Sequence, residues 1–160
     1  MRLVVAVSLM PSADPFNKSQ ADAAANCSPV KRAAICLLDD DVSMLKALDR
    51  LLKSDGFEVE KFCQPAQFLA AVEEAPYRVA ILDVWMPDMN GLEVQSVLRK
   101  ESPQTRVILM SGRDDPSVRQ TALESGAFGF LYKPFDDEVF LQLVRDAVNG
   151  NGDSAARKTS

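Results

Sequence analysis

The 160-residue chain is 47% hydrophobic and 26% charged, proportions that suit one soluble globular domain with a proper core and tails. A net charge of −5 without any basic stripe argues against a nucleic-acid surface, and the complete lack of histidine removes the commonest general base and zinc ligand. No apolar run is long enough to cross a bilayer, so no membrane contact is expected. Any chemistry must therefore run on carboxylates, lysine, hydroxyls or a hard metal. Cys27, Cys36 and Cys63 are scattered, with no Cys-x-x-Cys pair, which fits reduced thiols in a cytoplasmic setting better than a disulfide framework.

Arg2 followed by Leu3 to Met10 has the shape of a short signal-peptide core, but Pro11-Ser12-Ala13-Asp14 is a poor cleavage site. Residues 1–32, rich in Ala, Ser, Asn and Pro without a sustained period, read instead as a disordered or weakly ordered N-terminal extension. Order is expected from residue 33. Ala34 to Leu38 is a first buried strand, stopped by Asp39-Asp40-Asp41. Met44, Leu45, Leu48, Leu51 and Leu52 recur at helical spacing, with Asp41 as the cap candidate and Ser54-Asp55-Gly56 as the stop. Phe57 to Phe62 alternates as a second strand, and Phe68, Leu69 and Val72 mark a short helix after Pro65.

Val79 to Leu82 is the third strand and runs straight into Asp83, after which Met86-Pro87-Asp88-Met89-Asn90-Gly91 is a turn. Leu92, Val94, Val97 and Leu98 give a helix closed by Ser102-Pro103. Arg106 to Met110 is a fourth strand ending in Ser111-Gly112, followed by a helix from Pro116 to Ser125 capped by Gly126. Phe128 to Tyr132 is a fifth strand ending in Lys133-Pro134, and Phe140, Leu141, Val144 and Val148 line a last helix that stops at Gly150. Residues 151–160 read as a flexible C-terminal tail. Five strands alternating with five helices predict a three-layer, doubly wound α/β sandwich on a parallel sheet. Strand order 2-1-3-4-5 is adopted on the precedent of that fold class, with right-handed crossovers and an interior first strand.

A parallel sheet of this kind gathers the residues that follow its strands at one edge: Asp39 and Asp40, Asp83, Ser111 and Lys133. Each has an ordinary explanation alone, as a cap, a turn or a solvated charge. Together they make a site. Three close carboxylates repel one another, and a divalent hard cation such as Mg²⁺ offsets that charge, with Lys133 as a second positive group. Asp83 could then act as a nucleophile toward a phosphoryl group, with Ser111 bonding one of its oxygens.

Leu37-Leu38-Asp39-Asp40-Asp41, the Ile81 to Gly91 stretch, Leu109-Met110-Ser111-Gly112 and Tyr132-Lys133-Pro134-Phe135 resemble the motifs of response-regulator receiver domains, with a flavodoxin-like (βα)5 fold, over residues 33–150. The resemblance implies that Asp83 is the phospho-acceptor for a sensor histidine kinase or phosphotransfer protein. It implies Mg²⁺ held by Asp39, Asp40, Asp83 and the backbone carbonyl of Trp85. Lys133 would contact the phosphoryl group, a cis bond would precede Pro134, and Ser111 and Phe130 would be the switch pair that repacks a protein-interaction surface. The downstream protein target is unidentified, and a phosphorylation-dependent homodimer is one option. Such a protein phosphorylates itself and turns over no external substrate, so it is not read as an enzyme. The stretch from Gly126 to Phe135 resembles receivers attached to helix-turn-helix factors, yet no DNA-binding output domain is read in these 160 residues.

Two alternatives come from other classes. An Mg²⁺-dependent aspartyl phosphatase would need a second acid at Trp85, which is not there, and a never-phosphorylated interaction module would not need every acceptor, metal and lysine position filled. Trp85 and Arg113, two residues past Asp83 and Ser111, are expected to border the site and to crowd over a phosphoryl group, slowing its hydrolysis.

Overall fold

The computed structural model describes residues 34–151. The reading of residues 1–32 as an extension, the position of Cys27 and all of the tail beyond Asn151 lie outside the described residues.

Five strands, β1 (Ile35–Leu38), β2 (Val59–Phe62), β3 (Val79–Asp83), β4 (Arg106–Ser111) and β5 (Gly129–Tyr132), alternate with five helices: α1 (Val42–Ser54), α2 (Pro65–Glu74), α3 (Gly91–Glu101), α4 (Pro116–Glu124) and α5 (Asp137–Asn149). All strand pairs are parallel, and their order is β2-β1-β3-β4-β5. The expected doubly wound sandwich is the observed one. β1 and β3 are buried at every position because both faces of the sheet carry helices, which is why they read as unbroken apolar runs.

Alternation along the strands divides the interior into two cores. Ile35, Leu37, Val79, Ile81, Ile108, Met110 and Leu131 pack with Leu45, Leu48 and Leu52 of α1 and with Phe140 and Val144 of α5. Cys36, Leu38, Ala80, Leu82, Val107, Leu109 and Phe130 point the other way, toward α2, α3 and α4.

The second strand is shorter than its alternation suggests. It starts at Val59, not Phe57, because Val59 pairs with Ile35, the first residue of β1, and among the described residues no strand position precedes Ile35. Phe57 instead donates its N–H to the Leu52 carbonyl and packs against the α1–α5 core.

Helix starts are specified by side chains. Asp41 Oδ1 accepts from the N–H groups of Ser43 and Met44, and Asp115 and Asp136 cap α4 and α5 in the same way, each such cap contributing about 1 kcal/mol. At α3, Asn90 Oδ1 accepts from Glu93 N while Glu93 Oε2 accepts from Asn90 N, a reciprocal capping box. That cap fixes α3 directly after the turn that follows Asp83. Gly91, the first residue of α3, lies so close to β3 that a Cβ there would stand 2.5 Å from the Asp83 carbonyl oxygen.

Candidate functional site

β1, β3, β4 and β5 all end at one edge of the sheet, and the polar residues that follow or close them meet there. Asp39 and Asp83 are almost fully buried, whereas Asp40 is exposed. One carboxylate oxygen from each of Asp39, Asp40 and Asp83 lies within 4.8 Å of the others, close enough to share a metal ion. Asp39 is oriented by the chain next to it: its Oδ1 accepts from Asp41 N at 2.9 Å. The acidic triplet thus divides its tasks, with Asp39 inward, Asp40 outward and Asp41 capping α1.

Lys133 reaches across from the end of β5. Its ammonium donates to Asp39 Oδ2 at 2.8 Å and to Asp83 Oδ1 at 2.9 Å. It is 17% exposed, so these are charge-assisted bonds largely shielded from water. The backbone holds the lysine there, since Lys133 N donates to the Ser111 carbonyl at 2.7 Å and the Lys133–Pro134 peptide bond is cis.

Charge at this edge is unbalanced. Burial pushes the Asp83 carboxyl up, Lys133 pulls it down, and the neighbouring charges of Asp39 and Asp40 push it up again, leaving the net direction upward. For Lys133 burial pushes down, but two carboxylates outweigh it and hold the ammonium charged. The two shifts are consistent: one lysine satisfied by two acids cannot fully satisfy both of them. The donor set is all carboxylate oxygen with an excess of negative charge, which suits a hard divalent cation.

Ser111, at the end of β4, is 1% exposed. Its Oγ donates to the Arg113 carbonyl at 2.8 Å and accepts from Arg113 N at 3.0 Å. It also accepts from the indole Nε1 of Trp85 at 3.0 Å, and the Arg113 guanidinium carbon sits 4.1 Å from the centre of the same indole ring. Trp85 and Arg113 therefore pair with each other beside the site. The indole bond to Ser111 is the feature that sequence reasoning missed, since residue spacing carries no side-chain direction. Phe130 is fully buried in the α2–α3–α4 core and meets Tyr132 edge-on at 5.2 Å, so this aromatic already points inward.

Residues 35–145 match the family model described as the response regulator receiver domain. The chain belongs to the response regulator receiver family. Among curated relatives, it is 38% identical over 118 residues to the response regulator protein TodT of Pseudomonas putida, a match covering 74% of this chain and 52% of that protein. It thus spans about half the length of these curated relatives. Among solved structures, a response regulator receiver domain protein from Clostridium thermocellum superposes with a TM-score of 0.69 at 28% identity, covering 73% of this chain and 94% of that one. The BeF3-activated DrrB receiver domain gives 0.66 at 31% identity, covering 72% and 96%. The receiver fold and its two-component context are thereby established. Among the described residues no helix is long and apolar enough to cross a membrane.

Proposed function

We propose that this chain is a phospho-accepting receiver of a two-component relay, with Asp83 as the acceptor. The observation that carries the reading is the Lys133 ammonium bonded at once to Asp39 and Asp83 at the mouth of a parallel sheet. The phosphodonor is a sensor histidine kinase or a phosphotransfer protein. An Asp83 carboxylate oxygen attacks phosphorus, the phosphorus–nitrogen bond of the donor phosphohistidine breaks, and the imidazole leaves with the electron pair and takes up a proton. The product is an acyl phosphate on Asp83. Asp39, Asp40 and Asp83, with the Trp85 backbone carbonyl, would hold Mg²⁺, which when bound supplies positive charge to offset that of the phosphoryl oxygens.

Lys133 is placed to follow the charge. Its bond to Asp83 is available for transfer to a phosphoryl oxygen, while its bond to Asp39 keeps it in place. Ser111 would donate to another phosphoryl oxygen, and the surface around Phe130 would change with it, altering contact with a downstream protein or with a second copy of the chain. The receiver unit on this reading is residues 33–150, acting in a soluble, cytoplasmic setting without direct contact to nucleic acid, and it turns over no external substrate.

Incubation with Mg²⁺ and acetyl phosphate tests the proposal by intact mass. A single phosphoryl adduct that is missing in Asp83→Asn is the expected result. Phosphate release without an adduct would point to a phosphatase, and neither outcome to an unphosphorylated interaction module.

A further inference from the structure

Ser111 has one hydroxyl proton and two acceptor lone pairs, and all three are already committed. Each partner's role is fixed by its chemistry: the Arg113 carbonyl can only accept, while Arg113 N and Trp85 Nε1 can only donate. The hydroxyl therefore has no proton to offer a new acceptor without breaking a bond. Turning the O–H about the Cβ–Oγ bond aims the proton at one of the two N–H donors. One of these is a backbone amide held in the β4–α4 loop; the other is the side chain of Trp85, which is 36% exposed and so has solvent on one side. Swinging the whole Ser111 side chain also takes the acceptor away from the indole.

We propose that Trp85 is a positioning residue that latches Ser111: its indole N–H holds the hydroxyl in the arrangement that cannot donate to a phosphoryl oxygen, and occupancy at Asp83 expels the indole. This rests on Asp83 being the acceptor. Arg113 belongs to the same device, because its guanidinium lies on the face of the indole and its backbone supplies the other two bonds to Ser111. Release of the indole from Ser111 therefore also moves the surface on which Arg113 rests. The device reports on itself, since Trp85 is the only tryptophan of the chain.

The test uses the full chain with Mg²⁺ and beryllofluoride as the phosphate mimic, binding being followed by fluorine NMR and by Trp85 emission. In the wild-type protein, binding shifts the emission to longer wavelength as the indole leaves its hydroxyl partner for water. In Ser111→Ala the indole has no acceptor, so emission begins at the released position and does not move when the mimic binds. Trp85→Phe keeps an aromatic ring and loses the N–H, and it binds the mimic about two- to tenfold more tightly, the range expected for removing one hydrogen bond from the unliganded state. Combining Trp85→Phe with Ser111→Ala abolishes that gain, which a merely structural role for Trp85 would not do. Equal affinity of Trp85→Phe and wild type, or a gain that persists without Ser111, overturns the latch while leaving Asp83 as acceptor. Failure of wild type to bind the mimic overturns both readings.

Discussion

The Lys133 ammonium lies 2.9 Å from Asp83 Oδ1, yet the Asp83 carboxyl is still pushed upward by burial and by its acidic neighbours. One lysine does not neutralise this edge. Substitutions of the two partners should therefore have opposite signs without divalent metal. Asp83→Asn removes a buried charge and leaves Lys133 paired with Asp39, so it should raise stability by about 1 kcal/mol at neutral pH. Lys133→Met leaves two buried carboxylates facing each other and should lower it by about 1–3 kcal/mol, as well as abolishing the adduct. Urea unfolding in a chelating buffer measures both; equal destabilisation by the two would show that the acids do not repel one another appreciably.

Gly91→Ala tests the turn that follows Asp83. A methyl group there would meet the Asp83 carbonyl oxygen at 2.5 Å and Leu109 Cδ2 at 3.0 Å, and the first of these is backbone that cannot step aside alone. Alanine is ordinarily the better helix former, so the local preference and the packing disagree. Packing should win, with a loss of about 1–3 kcal/mol and slower labelling of Asp83 by acetyl phosphate. Unchanged stability would mean that α3 can back away from β3 freely.

Asp49 provides a pH-dependent element remote from the site. It lies on α1, is nearly buried, and its Oδ2 accepts from Lys61 at 2.9 Å and from Lys53 at 3.0 Å. Burial alone would push its carboxyl up, but the two ammonium groups overcome this, and the net direction is downward. A lowered carboxyl contributes stability that is present above the unfolded value and is lost as pH falls through the folded one. Asp49→Asn should thus be less stable than wild type at neutral pH by about 1 kcal/mol. The gap should close as acid takes the pH below about 3.9. Unfolding curves at a series of pH values check it, and a gap independent of pH would assign the effect to packing.

The lifetime of the acyl phosphate should depend on Trp85 and Arg113, whose guanidinium carbon lies 4.1 Å from the centre of the indole that reaches Ser111. Wild-type protein labelled with radioactive phosphate is expected to lose it several-fold more slowly than Trp85→Ala, because the indole expelled from Ser111 stands on the solvent side of the phosphoryl group, where it and Arg113 limit the approach of water. Equal half-lives would show that the pair leaves the attacking water unhindered.

Much of this architecture was legible because burial on both faces turns parallel strands into apolar runs, each ended by a residue of a different chemical type. Asp39, Asp83, Ser111 and Lys133 could be placed at a common edge from that pattern alone. Asp41 was legible as a cap because an acidic residue before a helical period has few other uses. Alternation carries the second strand back to Phe57, since it does not reveal where a neighbouring strand begins. The role of Asp49 is not legible, because an acid one position after Leu48 looks like a solvated helix face until Lys61 arrives from β2. The saturation of Ser111 was also invisible: it depends on where the Trp85 side chain turns, and sequence spacing is silent on that.

Phe130 and Leu131 are neighbours in the chain but lie in separate compartments, one under α2, α3 and α4 and the other under α1 and α5. The sheet between them is a partition. On the proposed reading, a rearrangement that begins at Ser111 and reaches Phe130 would spread through one compartment and leave the packing that seats Asp41 and α1 beside the acids in the other. The outline would then change on one side and stay unaltered on the other, so that a donor docking against α1 would meet the same surface before and after transfer.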